Sequence, residues 1–105
     1  MDMSSIMQQA QQMQEKMAKI QQDLAKMTVT GSAGGGMVQA RLTGQGELIS
    51  IAIEKQLITP DEAELLQDLI TAAVNDGLRK AKEAGKQAMG QLTQGVNIPG
   101  LSNLF

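Results

Sequence analysis

The stretch that decides the fold is residues 28–53, TVTGSAGGGMVQARLTGQGELISIAI, which has the period-two hydrophobic pattern of β-strands. Two runs within it alternate, at residues 37–43 and 47–53. Their apolar positions are Val38, Ala40 and Leu42 in the first run, and Ile49, Ile51 and Ile53 in the second. Each run therefore predicts a strand with one buried face.

A tight turn at Thr43-Gly44-Gln45-Gly46 joins these two strands, and its two glycines allow the positive φ angles of primed hairpin turns. Because side chains alternate between faces, a loop with an even number of residues sets the two apolar faces side by side. We therefore predict a loop of two or four residues. Upstream, Thr28-Val29-Thr30 favours a short strand that is interrupted by Gly31 and Gly34-Gly35-Gly36, where a turn or bulge is expected. The expected core is a three-stranded antiparallel meander spanning residues 28–58.

The chain before this sheet, residues 1–27, predicts one long helix. Its apolar residues recur at alternating intervals of three and four, which is a heptad seam. The seam consists of Met3, Ile6, Ala10, Met13, Met17, Ile20, Leu24 and Met27. Ser4 or Ser5 can cap the start. A helix of this length measures roughly 37 Å, so it either spans the body of the protein or projects from it, and its seam needs a facing helix.

A second helix is predicted over residues 59–93, with Thr59 as N-cap and Pro60 at the first helical position. Its first half has an apolar stripe wide enough to lie flat on the sheet. The stripe consists of Leu65, Leu66, Leu69, Ile70, Ala73, Val74, Gly77 and Leu78. Residues 94–105 contain glycines and a proline but are too apolar for a free tail, so we expect them to dock on the protein.

The composition argues against an enzyme. The chain of 105 residues has no Cys, His or Tyr, which removes the common nucleophiles, neutral-pH proton carriers and transition-metal ligands. We expect no cofactor, no metal and no small-molecule substrate.

Neither a signal peptide nor a membrane span is indicated, so the expected location is the cytoplasm. A single aromatic residue offers little bulk for a core, which suggests help from a second copy of the chain.

Basic residues cluster late in the second predicted helix, although the net charge of the chain is -2. The cluster consists of Arg79, Lys80, Lys82 and Lys86, and further bases on the first helix are Lys16, Lys19 and Lys26. These seven are the candidate DNA-binding residues. The alternative is ordinary pairing within the helix, since Asp76 lies four residues before Lys80 and Arg79 lies four before Glu83. The spacing alone favours neither interpretation.

Almost the whole chain resembles the YbaB/EbfC family of small bacterial nucleoid-associated DNA-binding proteins. The matching segments are residues 7–17 (MQQAQQMQEKM), 29–38 (VTGSAGGGMV), 69–81 (LITAAVNDGLRKA) and 97–100 (NIPG). The resemblance implies a single α+β domain over residues 1–105 with the order α-β-β-β-α. It also implies a sheet-centred homodimer whose helices project like tweezers, a location at the nucleoid, and double-stranded DNA as partner.

Two functions follow as hypotheses. In the first, the dimer grips duplex DNA through backbone phosphates and shape and thereby affects nucleoid organisation and gene expression. In the second, the chain is a protein-interaction adaptor or a holdase-like clamp, whose Met-rich helical arms hold a polypeptide. Binding to DNA that weakens steeply with salt distinguishes the first from the second.

Overall fold

The computed structural model describes residues 2–94 and has the order helix, three strands, helix. The elements are α1 (Met3–Lys26), β1 (Thr28–Ala33), β2 (Val38–Thr43), β3 (Leu48–Ile53) and α2 (Ala63–Gln94). Two short 3-10 turns, Lys55–Leu57 and Pro60–Glu62, connect the sheet to α2. The predicted α-β-β-β-α order is confirmed. The predicted docking of the apolar tail falls mostly on residues 95–105, outside the described residues.

Helix α1 is 24 residues long and begins at Met3, and its N-cap is Asp2 in place of the predicted serines. The Asp2 carboxylate accepts hydrogen bonds from the Ser4 backbone N–H at 3.3 Å and from the Ser4 hydroxyl at 2.8 Å. A carboxylate also interacts favourably with the positive end of the helix dipole, which a serine cannot do. Of the heptad seam, Leu24 alone is buried within this helix. Met13 and Ile20 are half-buried, and the other seam residues are exposed.

The sheet is antiparallel in the order β1-β2-β3. The predicted turn at Gly34-Gly35-Gly36 is present, and all three glycines have positive φ angles. Gly31 itself does not end the strand, because β1 continues through it to Ala33. Gly31 has a different role. A Cβ atom at this position would lie 2.1 Å from the Ala73 carbonyl oxygen and 2.2 Å from the Gly77 backbone nitrogen. The glycine thus lets α2 pack backbone to backbone against β1.

The β2–β3 hairpin differs from the predicted primed turn. Only Gly46 has a positive φ, 89°, and the Thr43 N–H donates to the Glu47 carbonyl, which closes a three-residue loop. A loop with an odd number of residues sets Leu48, and not Ile49, beside the apolar face of β2. Leu42 accordingly pairs with Leu48. A β-bulge then shifts the register, so that Ala40 pairs with Ile51 and Val38 with Ile53 as predicted. The bulge therefore restores the apolar alignment that the turn disturbs.

The core lies between α2 and the first two strands. Val38, Ala40, Leu42 and Ala73 are fully buried. They are joined by Leu57 from the first 3-10 turn, a core residue that the sequence prediction omitted. The strand β3 lies beyond the edge of α2. As a result Ile49 and Ile51, which were expected on a buried face, are 50% and 37% exposed.

Helix α2 is 32 residues long and follows the 3-10 turn that opens at Pro60. Thr59 occupies the N-cap position of that turn, but its side chain makes no capping hydrogen bond. The predicted apolar stripe packs on the core through Leu66, Leu69, Ile70 and Val74. Two predicted members of the stripe, Leu65 and Leu78, are 45% and 40% exposed.

The molecule is elongated. Its radius of gyration is 19.4 Å, whereas a compact domain of this length has a value of about 13 Å. The second half of α2 runs antiparallel to α1, since Leu24 lines a cavity with Ala81 and Gly85, and Ile20 lines the next with Ala88 and Gln91. Together the two helices form an arm that projects from the sheet. Neither described helix is both long and apolar enough to cross a membrane.

The close approach at Gly31 gives a first prediction. The substitution Gly31→Ala places a methyl group inside van der Waals distance of three backbone atoms of α2. We expect it to lower the free energy of unfolding by about 3 kcal/mol or more, because backbone atoms cannot move aside without separating α2 from β1. Urea denaturation followed by circular dichroism measures this change.

The control is Gly85→Ala, where a new Cβ atom meets nothing within 4 Å. Alanine is the better helix former, so this variant should be as stable as the parent or up to about 1 kcal/mol more stable. Equal stability of the Gly31→Ala variant and the parent would contradict the described packing of α2 on β1.

Candidate nucleic-acid interface

The densest group of cations lies on α2, where Arg79, Lys80, Lys82 and Lys86 are interrupted by a single acid, Glu83. All four are exposed. With 3.6 residues per turn, Arg79, Lys82 and Lys86 fall on one side of the helix and Lys80 is turned away from them. Lys82 and Lys86 lie toward the projecting arm, whereas Lys80 still contacts the β1 edge of the sheet.

Asp76 binds two of the four cations. Its carboxylate forms a salt bridge with Arg79, three residues on, and its Oδ2 lies 3.3 Å from Lys80 Nζ, four residues on. The predicted pairing of Asp76 with Lys80 is therefore present. The other suggested pair is not, because within residues 2–94 Arg79 bridges to Asp76 and Glu83 makes no salt bridge.

Asp76 and Lys80 also bind the free edge of β1. The Ser32 backbone N–H donates to Asp76 Oδ2 at 3.0 Å, and Lys80 Nζ donates to the Thr30 carbonyl oxygen at 2.8 Å. The Ser32 N–H and the Thr30 carbonyl oxygen, which would otherwise face solvent, thus have hydrogen-bond partners on α2. Lys80 is consequently a structural residue as much as a surface charge.

The remaining α2 cations have no such partner among the described residues. Lys82 and Lys86 make neither a salt bridge nor a side-chain hydrogen bond there, so their ammonium groups are available to an external anion. Lys82 and Arg79 line an open cavity of about 810 Å³ between α2, the end of α1 and the 43–47 turn. Opposite them, the Gln45 side chain donates to the Gln21 carbonyl oxygen at 3.0 Å, which ties the turn to α1.

The three candidate bases of α1, which are Lys16, Lys19 and Lys26, are exposed on a different helix. The predicted set therefore divides into two groups on the two helices of one arm.

The sequence prediction left out Arg41. This residue is exposed on the polar face of the sheet, where it pairs with Thr30 on one side and Ser50 on the other. Strand alternation could have indicated it, since Ala40 and Leu42 must face the opposite way.

The environment of Asp76 lowers the pKa of its carboxyl group below the ordinary value of 3.8. The main cause is the hydrogen bond from the Ser32 backbone N–H, followed by Lys80 and Arg79. All of them favour the ionised form. A lowered pKa in the folded state adds stability at pH values above the unfolded pKa, and this stability is lost as pH falls through the folded pKa.

We therefore predict that the substitution Asp76→Asn flattens the pH dependence of stability below pH 4. The asparagine can still accept the Ser32 hydrogen bond but carries no charge for the two bases. The parent should lose stability as pH falls below 4, and the variant should lose less. Urea denaturation at a series of pH values measures both.

The matched control is Asp68→Asn, an exposed acid on the same helix that makes no described salt bridge. Its pH profile should follow that of the parent. If the Asp76→Asn profile also followed the parent, the Asp76 carboxylate would not be linked to folding in the way described.

The chain shows clear similarity to known proteins. The profile of the YbaB/EbfC DNA-binding family matches residues 1–96. A nucleoid-associated protein of Desulfotalea psychrophila is 63% identical over 105 residues, which is 100% of this chain and 99% of that protein. A nucleoid-associated protein of Syntrophobacter fumaroxidans is 52% identical over 95 residues, which is 90% of this chain and 86% of that protein.

A solved structure is similar as well. The crystal structure of an uncharacterized protein from Helicobacter pylori superposes with a TM-score of 0.78 at 26% sequence identity, covering 88% of this chain and 97% of the other. The helix–sheet–helix order and the sequence similarity thus agree over nearly the whole length. The chain belongs to the YbaB/EbfC DNA-binding family.

Proposed function

We propose that this protein is a nucleoid-associated homodimer that holds duplex DNA mainly through the phosphate backbone and the shape of the helix. In this role it contributes to nucleoid organisation and gene expression. The observation that carries the proposal is the segregation of bases on the projecting arm of a chain that belongs to a DNA-binding family. Duplex DNA is the polyanion that such an arm would meet in the nucleoid.

The charge distribution supports the proposal despite the acidic net charge. The acids at the start of α2, including Glu64 and Asp68, lie about 18 residues before Lys82 and Lys86. That spacing corresponds to roughly 27 Å along the helix, which exceeds the Debye length of about 8 Å at physiological salt. A phosphate near Lys82 is therefore screened from the acids at the start of α2, and within the basic cluster itself Glu83 is the single acid.

The cations differ in their availability. Lys82 and Lys86 are exposed and unengaged within the described residues, so they are the principal phosphate ligands of the proposal. Arg79 is 71% exposed and can exchange its exposed bridge to Asp76 for a phosphate. Lys80, held by the β1 edge, and the α1 bases Lys16, Lys19 and Lys26 contribute less. Phosphate contacts carry no sequence information, so sequence preference should be weak.

The dimer is proposed to form through β3. The β1 edge is occupied by Asp76 and Lys80, whereas the β3 edge has no strand beside it among the described residues. Leu48, Ile49 and Ile51 are exposed along that edge. A second copy of the chain would supply hydrogen-bond partners for the backbone of the β3 edge. It would also bury the exposed apolar side chains. Pairing two β3 strands would give one continuous sheet with an arm on each side.

One observation favours the second function inferred from the sequence, a clamp for polypeptides. Met3, Met7 and Met17 are exposed on α1, and methionine adapts to varied apolar partners. The dependence of binding affinity on salt concentration distinguishes the two functions. Apolar binding of a polypeptide does not weaken with salt, whereas phosphate binding does.

The DNA proposal predicts the behaviour of a triple variant, Arg79→Gln, Lys82→Gln and Lys86→Gln. If each protomer supplies three phosphate contacts, the dimer makes six, and log affinity should fall against log salt with a slope of about -5. The variant should bind all duplex sequences more weakly with a flatter slope. Its stability should change little, because exposed charges contribute little to folding. Fluorescence anisotropy at several salt concentrations measures the slope.

Single substitutions provide the matched control. Lys86→Gln removes a base from the proposed interface, whereas Lys55→Gln removes an exposed base from the 3-10 turn after the sheet. Only the first should weaken binding. Unchanged affinity and slope in the triple variant would place the DNA site elsewhere on the protein.

The dimer proposal predicts that Ile51→Asp separates the protomers. A carboxylate at this position would be buried without a partner in the paired sheet, which costs several kcal/mol. In a single chain it would be partly exposed, so the fold should survive. Analytical ultracentrifugation should show a monomer with helical circular dichroism.

Gln39→Asp is the control for this experiment, because Gln39 is exposed on the polar face of the neighbouring strand β2. This variant should sediment as the parent does. A dimer that withstands Ile51→Asp would rule out the β3 edge as the interface.

A further inference from the structure

The cavity between α2, the end of α1 and the 43–47 turn has the composition of an anion site. Its volume is about 810 Å³, and Arg79 and Lys82 are cations in its lining, whereas none of the described residues that line it is acidic. The neighbouring acids Glu47 and Glu83 lie outside the lining. In a chain with 11 acids and 9 bases, the cavity is therefore a local region of positive charge.

One face of α2 forms the first wall of the cavity. Asn75, Leu78, Lys82 and Gly85 recur at intervals of three, four and three residues, with Arg79 beside them, so they share one side of the helix. The side-chain amide of Asn75 makes no hydrogen bond within residues 2–94. Its NH₂ group is therefore available to an acceptor that lies against the two cations.

Hydrogen bonds hold the opposite wall in place. The Gly44 N–H donates to the carbonyl oxygens of Leu24 and Met27 at 2.9 and 3.1 Å. The Gln45 side chain donates to the Gln21 carbonyl oxygen at 3.0 Å and to Gln21 Oε1 at 3.2 Å. The second of these bonds uses the oxygen of the Gln21 side-chain amide and leaves its NH₂ group free to donate. The cavity thus has fixed walls with a hydrogen-bond donor on each.

The size and the apolar part of the lining indicate the kind of ligand. A volume of about 810 Å³ lies within the range of roughly 300–1,000 Å³ found for small-molecule sites, so the cavity holds more than a lone phosphate ion. Leu78 is 40% exposed and lines the cavity together with the two cations. A ligand that joins an anionic group to a less polar one matches this lining, and a phosphate with its attached sugar has both.

We propose that the cavity of each protomer receives one phosphate of the DNA backbone together with its sugar. Arg79 and Lys82 bind the phosphate oxygens, Asn75 and Gln21 donate hydrogen bonds from the two walls, and Leu78 contacts the sugar. This inference rests on the proposed DNA binding. It adds a side chain of α1 to the interface and places the backbone between the two helices, while Lys86, which is outside the lining, contacts a neighbouring phosphate.

A substitution at Gly85 blocks the cavity without changing its charge. Gly85 lines the cavity, and a Cβ atom there would meet nothing within 4 Å, so the side chain of Gly85→Trp has room to enter. The matched control is Gly90→Trp, the same substitution on the same helix at a glycine that also has open space but lies outside the lining. Circular dichroism checks that both variants fold.

Fluorescence anisotropy with duplex DNA at several salt concentrations then compares the two variants. The Gly85→Trp variant should bind about tenfold more weakly, and its slope of log affinity against log salt should be flatter by about 2, because each of two cavities loses one phosphate contact. The Gly90→Trp variant should bind as the parent does.

Equal affinity of the two tryptophan variants would overturn the proposal. The triple variant Arg79→Gln, Lys82→Gln and Lys86→Gln then shows how far the failure extends. If the triple variant binds weakly while Gly85→Trp binds as the parent does, DNA lies on the outer surface of the arm and the proposed function stands. If the triple variant also binds as the parent does, the DNA site is elsewhere and both proposals fail.

NMR of the unsubstituted protein gives a second readout that does not depend on the folding of a variant. On addition of duplex DNA, the side-chain NH₂ resonances of Asn75 and Gln21 should shift. Those of Gln56, which lies in the 3-10 turn after the sheet, should not. Unchanged Asn75 and Gln21 resonances in DNA-bound protein would overturn the proposal.

Discussion

The backbone contact between β1 and α2 is the constraint on which the rest of the structure depends. Gly31 has no side chain, so the Ala73 and Gly77 backbones can lie directly against the strand. This distance sets the position of α2 over Val38, Ala40 and Leu42, which are fully buried. A chain with almost no aromatic side chains fills its small core in this way, by bringing backbones together instead of inserting large groups.

The same placement makes the two edges of the sheet unequal. Because α2 lies over β1 and β2, its Asp76 and Lys80 reach the groups of the β1 edge, while Leu48 and Ile51 on β3 stay exposed. One edge is thereby protected against pairing with other chains and the other is left open. The position of one helix thus defines both the closed and the open side of the protomer.

The sequence predicted the features that follow from local periodicity. Alternation located β2 and β3, and the heptad seam located α1. It failed where a distant contact decides the outcome. In the sequence Gly31 suggests the end of a strand, and its role becomes clear only from its contact with Ala73. The number of residues in the hairpin loop also gave no sign of the bulge that corrects the register. For the candidate site, spacing indicated the pair of Asp76 and Lys80, but the backbone partners of both residues on β1 come from tertiary structure.

The three partners of Asp76 fall into two groups, which bind different oxygen atoms of its carboxylate. Ser32 and Lys80 connect its Oδ2 atom to the sheet edge, whereas Arg79 uses the other oxygen, Oδ1, on the solvent side. An anion that draws Arg79 away therefore leaves the two sheet-edge contacts of Asp76 in place. A change in the ionic partner of Arg79 would in this way leave the contact between α2 and the sheet edge intact.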